Sequence, residues 1–205
     1  MSFTKPKIYN LALSALLLAR EVTDVDTDQS NEVRVLNTHY DIALRSTIQD
    51  LDLDSTSTLI TLELYESLSN EKWLYAYKYP TNCSFLRRLD SVAKVDRRST
   101  HISKRVALRD DLKVIYTDEQ DAVAECIPND VPLGTLSSMA GMAVAYKLAY
   151  LSAPLIVGKG AKTLRESILM AYNTAKMEAQ ETDARENFNY EEDYERSEFV
   201  EARLS

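Results

Sequence analysis

The sequence predicts an α+β chain that is mainly α, with a four-helix bundle core, an inserted antiparallel β meander and an extended C-terminal arm. Three observations lead there. Apolar residues recur at helical spacing near the start of the chain and again after Pro132. Between these segments the pattern changes to short runs of β-formers. From Glu181 onward helical spacing fails and acidic residues dominate. The organisation expected is bundle core at residues 1–54 and 128–182, β insertion at 55–127 and arm at 183–205.

Each element has its own signal. Ile8, Leu11, Ala12, Ala15, Leu16 and Ala19 share one helix face, with Thr4 as N-cap and Pro6 in the first turn, predicting a helix over 5–20. Lys5 and Lys7 before this run mimic a signal peptide, but no A-x-A cleavage site follows, so the segment reads as a core helix. An acidic loop leads to Ser30 or Asn31, which can cap a second helix over 31–51. Its apolar face is Val33, Leu36, Tyr40, Leu44, Ile48 and Leu51. Asp50, Asp52 and Asp54 oppose the negative helix end and should stop it. Strands are expected at Thr58–Tyr65, Trp73–Pro80, Phe85–Val92, His101–Leu108, Lys113–Tyr116 and Ala122–Ile127. A third helix over 133–152 carries two apolar stripes. One is Met139, Met142, Ala143, Tyr146 and Tyr150; the other is Leu136, Ala140, Val144, Leu148 and Leu151. A helix apolar on both sides is buried on both sides, within a bundle or between subunits, and the first stripe is the candidate subunit-packing face. Pro154, Gly158 and Gly160 should break it, and a fourth helix over 161–182 follows.

Composition narrows the function. A net charge of −8 opposes avid duplex-DNA binding, which needs a basic surface, despite the cluster Arg87, Arg88, Lys94, Arg97, Arg98, Lys104 and Arg105. Cys83 and Cys126 lie far apart without CxxC spacing, which points to free thiols rather than a zinc site. No stretch approaches the length of a membrane span.

Several motifs fall short of chemistry. Asp24-x-Asp26-x-Asp28 opens like a calcium loop, but Gln29 and Val35 stand where Gly and Glu are needed. Gly158-Lys159-Gly160-Ala161-Lys162-Thr163 lacks the order of a phosphate loop. His39 and His101 show no catalytic pairing. No catalytic, cofactor-binding or metal-ligating set is assigned.

Certain residues carry a resemblance. The N-terminal stretch Ile8-Tyr9-Asn10-Leu11-Ala12-Leu13-Ser14-Ala15-Leu16 precedes the acidic Asp24–Asp28 loop. Asn31-Glu32-Val33-Arg34, Tyr40-Asp41 and Ala43-Leu44-Arg45 follow on the second helix. Trp73-Leu74-Tyr75-Ala76-Tyr77-Lys78-Tyr79-Pro80-Thr81-Asn82-Cys83 leads into Phe85-Leu86-Arg87-Arg88-Leu89, and the tail contains Ser197-Glu198-Phe199-Val200-Glu201-Ala202-Arg203. This ordered set resembles the head-to-tail adaptors of tailed bacteriophages, in particular the tail tubular protein A family of short-tailed phages. It departs at Leu51-Asp52-Leu53-Asp54, where the family often has a Trp, and in a longer, more basic Ala93–Leu108.

The resemblance implies a structural, non-enzymatic virion protein at the head–tail junction, present in the host cytoplasm during assembly. It implies a homo-oligomeric ring, dodecameric, between the portal protein and the tail nozzle or next neck protein. Genomic DNA would pass through the lumen without specific binding; no cofactor and no membrane are involved. The family's C-terminal arm tends toward the portal. Here Phe188, Tyr190, Tyr194, Phe199, Val200 and Arg203 would form the portal-docking arm, loosely packed when free and ordered when docked. The rival expectation is a tail-associated, cell-wall-degrading glycosidase, which needs two carboxylates at catalytic separation.

Overall fold

The computed structural model describes residues 2–68, 72–91 and 102–186. Helix α1 (Lys5–Ala15) starts at the expected cap: the Lys7 N–H donates to Thr4 Oγ1 at 3.4 Å, with Pro6 in the first turn. It stops well before Arg20. Leu17 adopts a left-handed φ of 61°, its N–H donates to Ser14 O, and Leu18 N–H donates to Leu13 O. Those two bonds make a Schellman cap built without glycine. Helix α2 (Asn31–Leu51) is capped by Ser30 Oγ, which accepts from Val33 N–H at 3.4 Å. It ends where Asp52 turns left-handed, at φ 47°. A 3-10 turn, Asp54–Thr56, leads to the strands.

The strands are β1 (Thr58–Thr61), β2 (Leu64–Ser67), β3 (Tyr75–Lys78), β4 (Cys83–Ser91), β5 (Arg105–Arg109), β6 (Leu112–Thr117) and β7 (Ala122–Pro128). They form two antiparallel sheets, ordered β1-β7-β4 and β2-β3-β6-β5. The Thr58–Tyr65 run, expected as one strand, is therefore split. The chain leaves the first sheet after Thr61 and joins the second at Leu64, while Leu62 is buried between them. Tyr77 and Ile115 from the second sheet meet Leu86, Leu89, Ala124 and Cys126 from the first in a shared core.

Helix α3 (Ser138–Ile156) begins at Ser137, whose Oγ accepts from Ala140 N–H at 3.2 Å. It runs through Pro154, whose missing N–H falls in the last turn. Helix α4 (Ala161–Glu186) extends past the expected end at 182. Helices α1, α2 and α4 all pack on α3. The expectation that no stretch approaches a membrane span is corrected for α3, which among the described residues is the one helix long and apolar enough to cross a membrane by composition; it lies at the centre of this helical layer.

The expected architecture, a mainly α four-helix bundle core with one inserted meander and a C-terminal arm, is corrected here. Helix and strand share the described residues as about half and a quarter, and the strands make two sheets with crossed order. A meander would pair β4 with β5; instead β4 pairs with β7 and β3 with β6. The helices do not close a core of their own, because Ile127 of β7 lies in the same cluster as Ile8, Leu36 and Leu148. The physical cause is the two-sided burial of β7. Ala122, Ala124 and Cys126 face the sandwich interior, while Ile127 faces the helices. A strand covered on both faces belongs in the middle of a sheet, and alternation along a single strand does not reveal its partners.

Candidate functional site

The most elaborate polar cluster sits at the corner where α2 ends and the sheets begin. The bulge between Leu86 and Arg88 in β4 sets two consecutive arginines against one residue of β7, since Arg88 pairs with Glu125 and Arg87 is the extra residue. Both guanidiniums therefore reach the same carboxylate. Arg87 Nη1 lies 2.5 Å from Glu125 Oε1, and Arg88 Nε lies 2.5 Å from Glu125 Oε2. The second contact is an ion pair without an aligned hydrogen bond, so Oε2 is buried with charge compensation only. Arg87 also pairs with Asp52 through Nε at 2.7 Å and with Asp54, and it donates to Asp52 O at 3.3 Å.

Burial separates these groups. The Glu125 side chain is 7% exposed and that of Arg87 19%, whereas Arg88 keeps 65%. Burial acts to lower the Arg87 pKa, but the Asp54 hydrogen bond and the charges of Asp52, Asp54 and Glu125 outweigh it and leave it above the ordinary value. An open cleft of about 720 Å³ lies over the cluster, walled on its apolar side by Leu59 and Phe85, both well exposed.

Helix α4 completes the corner. Asp183 accepts from the N–H groups of Asp54 (2.7 Å) and Ser55 (3.1 Å), capping the 3-10 turn with a buried carboxylate. Gln180 Nε2 donates to Leu51 O at 2.9 Å, satisfying a carbonyl at the end of α2. One connected network thus joins α4, the end of α2, β4 and β7. Chemically it is a clamp. Of its four acidic groups, Asp52, Asp54 and Glu125 are ion-paired and Asp183 accepts from backbone N–H groups, and among the described residues no cluster of His, Cys, Asp and Glu could hold a metal.

The residues singled out in the sequence are placed unevenly. Phe188, Tyr190, Tyr194, Phe199, Val200 and Arg203 lie outside the described residues, as do Lys94, Arg97, Arg98 and His101. Of the subunit-packing stripe, Ala143 is fully buried against Tyr172 and Ala175 of α4, with Met142 and Tyr146 beside it. Met139, Tyr146 and Tyr150 pack on the main core of the same chain, and Arg165 stacks over the Tyr150 ring at 4.2 Å. The two-sided apolarity of α3 thus has partners within the chain. Asp24 and Asp28 serve their own loop: Asp24 accepts from Asp26 N–H, and Asp28 accepts from Ser30 N–H and Arg20. These bonds hold both carboxyls below the usual range, backbone donation first. Gly158–Gly160 is a 3-10 turn joining α3 and α4.

Sequence reasoning missed Glu125, the turn cap by Asp183 and the proximity of Cys83 and Cys126. Glu125 had a signal, a lone acid inside the apolar run Ala122–Ile127. The others depend on long-range pairing. No protein-family model matches the chain, and no curated protein matches it.

Proposed function

We propose that the chain is a structural, non-enzymatic subunit of a tailed-phage virion, an adaptor that forms a ring between the portal and the tail and lets DNA pass. The observation that carries this reading is the ordered set of motifs, from Ile8–Leu16 through Trp73–Cys83 and Phe85–Leu89 to Ser197–Arg203. Two further features support it. The net charge of −8 suits a conduit that does not retain DNA by phosphate contacts. Met170 and Met177, about 70% exposed and two turns apart on the outer face of α4, offer an adaptable apolar strip for a neighbouring subunit.

The test is reconstitution of the purified chain with a short-tailed-phage portal protein, read by analytical ultracentrifugation and negative-stain microscopy. The expected result is a closed ring on the portal. Deleting residues 187–205 should leave the remainder folded and abolish attachment. A chain that stays off the portal would refute the reading, as would clearing of purified cell wall by the chain alone.

A further inference from the structure

We propose that Cys83 and Cys126 are a redox-active pair that closes into a cross-strand disulfide when a small disulfide oxidant is present, clamping the start of β4 to β7. This inference is independent of the adaptor reading.

The fold brings together two thiols that are distant in sequence. Cys83 opens β4 and Cys126 lies in β7, its partner strand, and both point into the core between the sheets. Cys126 stands opposite Leu86, and Cys83 stands opposite Pro128, so the thiols are diagonal neighbours on one face. Each is the largest influence on the other's ionisation. Among the described residues both are free.

The two are not equivalent. Cys83 is 6% exposed and Cys126 fully buried. Cys83 Sγ lies 3.4 Å from Tyr79 Oη, and Tyr79 lines an open cavity of about 310 Å³ beside the turn that precedes β4. Contact with the Cys126 thiol first, then the Tyr79 hydroxyl and the ammonium charges of Lys113 and Lys104, hold Cys83 down to about 7 against the opposing effect of burial. Contact with Cys83 and burial push Cys126 up. Thus Cys83, buried directly behind the Tyr79 ring that lines the cavity, is the thiol biased toward thiolate, and a small oxidant reaches it when that ring moves aside; Cys126 is the protonated resolving group behind it.

The ladder is locally incomplete at this strand end. Pro128 has no N–H to give Cys83, and a bulge separates Cys83 from Phe85. Drawing Cys83 toward β7 therefore breaks no ladder bond to Pro128, while Asn129 holds the preceding turn through Asn82 Oδ1 and Thr81 O. A regular diagonal pair stands too far apart for a disulfide, so this freedom is required.

The reaction balances with a small disulfide such as oxidised glutathione. The Cys83 thiolate attacks one glutathione sulfur, the glutathione S–S bond breaks, and one glutathione thiolate leaves. The departing glutathione thiolate takes the Cys126 proton as Cys126 attacks Cys83 Sγ, and the second glutathione thiolate is expelled. Two protein thiols are oxidised to one disulfide, and one glutathione disulfide is reduced to two thiols.

The test is native oxidation of the full chain with oxidised glutathione, followed by alkylation in denaturant and non-reducing peptide mapping. The wild type should lose both alkylatable thiols and yield a peptide linking Cys83 to Cys126. Cys126→Ser should stop at a glutathione adduct on Cys83, and Cys83→Ser should take up none. The proposal is overturned if the wild type keeps both thiols, stops at an adduct, or forms bonds only between chains. The wild-type map decides this even if either serine variant fails to fold.

Discussion

Gly141→Ala should destabilise this protein, although alanine is the better helix former. Gly141 lies within α3, and the Phe3 ring, 6% exposed, fills the space where its side chain would be. A Cβ there would come within 2.5 Å of Phe3 Cδ2 and closer to Cε2 and Cζ, so the ring must leave. Alanine at an interior helix position gains about 1 kcal/mol over glycine. Exposing a buried phenylalanine costs about 2–3 kcal/mol. The balance is a loss of about 1–2 kcal/mol. With Phe3→Ala the notch is empty, and the same substitution should stabilise by about 1 kcal/mol. The coupling between the two sites is then about 2–3 kcal/mol, a size expected only for residues in contact. Urea unfolding of the four proteins, followed by far-UV circular dichroism, measures it. If Gly141→Ala stabilises equally in both backgrounds, the ring is not seated in the notch and the reasoning is wrong.

Three further outcomes follow from the corner and the core. Glu125→Gln should cost about 2 kcal/mol in urea unfolding, less than a fully buried broken pair because Arg88 is largely exposed; a variant as stable as wild type would show that the clamp does not hold the sheets. Asp183→Ala should cost about 1–2 kcal/mol by removing a charged cap, and hydrogen exchange should accelerate at the amides of Asp54 and Ser55 in the 3-10 turn before those of the sheets. Burial first, then the Asp50 carboxylate that accepts from its hydroxyl at 2.8 Å, raises the pKa of Tyr172. A group whose folded pKa is raised stabilises fully below its unfolded value and loses that contribution above it, so stability should decline above about pH 10. Tyr172→Phe should flatten part of that decline, and an unchanged alkaline profile would contradict the assignment.

What could be read in advance was local. Thr4, Ser30 and Pro6 act through atoms three or four residues away, so their roles follow from spacing alone. The stop of α2 at the Asp50–Asp54 run is of the same kind. Leu17 was illegible because its left-handed turn is normally glycine's, and only the Schellman bonds around it disclose the early end of α1. Sheet order was illegible for another reason: Thr58–Tyr65 and Phe85–Val92 have the same alternation whichever strand they join. The clamp inherits that limit. In sequence Arg87 and Arg88 are only members of a basic cluster; the bulge and the β7 register bring both to Glu125. At Gly141 of α3 the group that uses the missing side chain is an aromatic ring from the start of the chain, a contact no local spacing announces.

The position of α3 has a consequence for how the chain reaches its native state. It is the surface on which α1, α2 and α4 are all built, yet it is made late, after every strand. During synthesis the apolar faces of α1 and α2, with Ile8, Leu13, Val33 and Leu36, have no partner until Ser138 and the residues beyond it have left the ribosome. The β1–β7 pairing likewise waits for residue 126 to meet residue 58. Closing such distant contacts is slow and leaves sticky surface uncovered in the interval. Nascent chains stalled with Ser138 still inside the ribosome should therefore recruit chaperones strongly, and chains stalled with Ile156 outside it should release them.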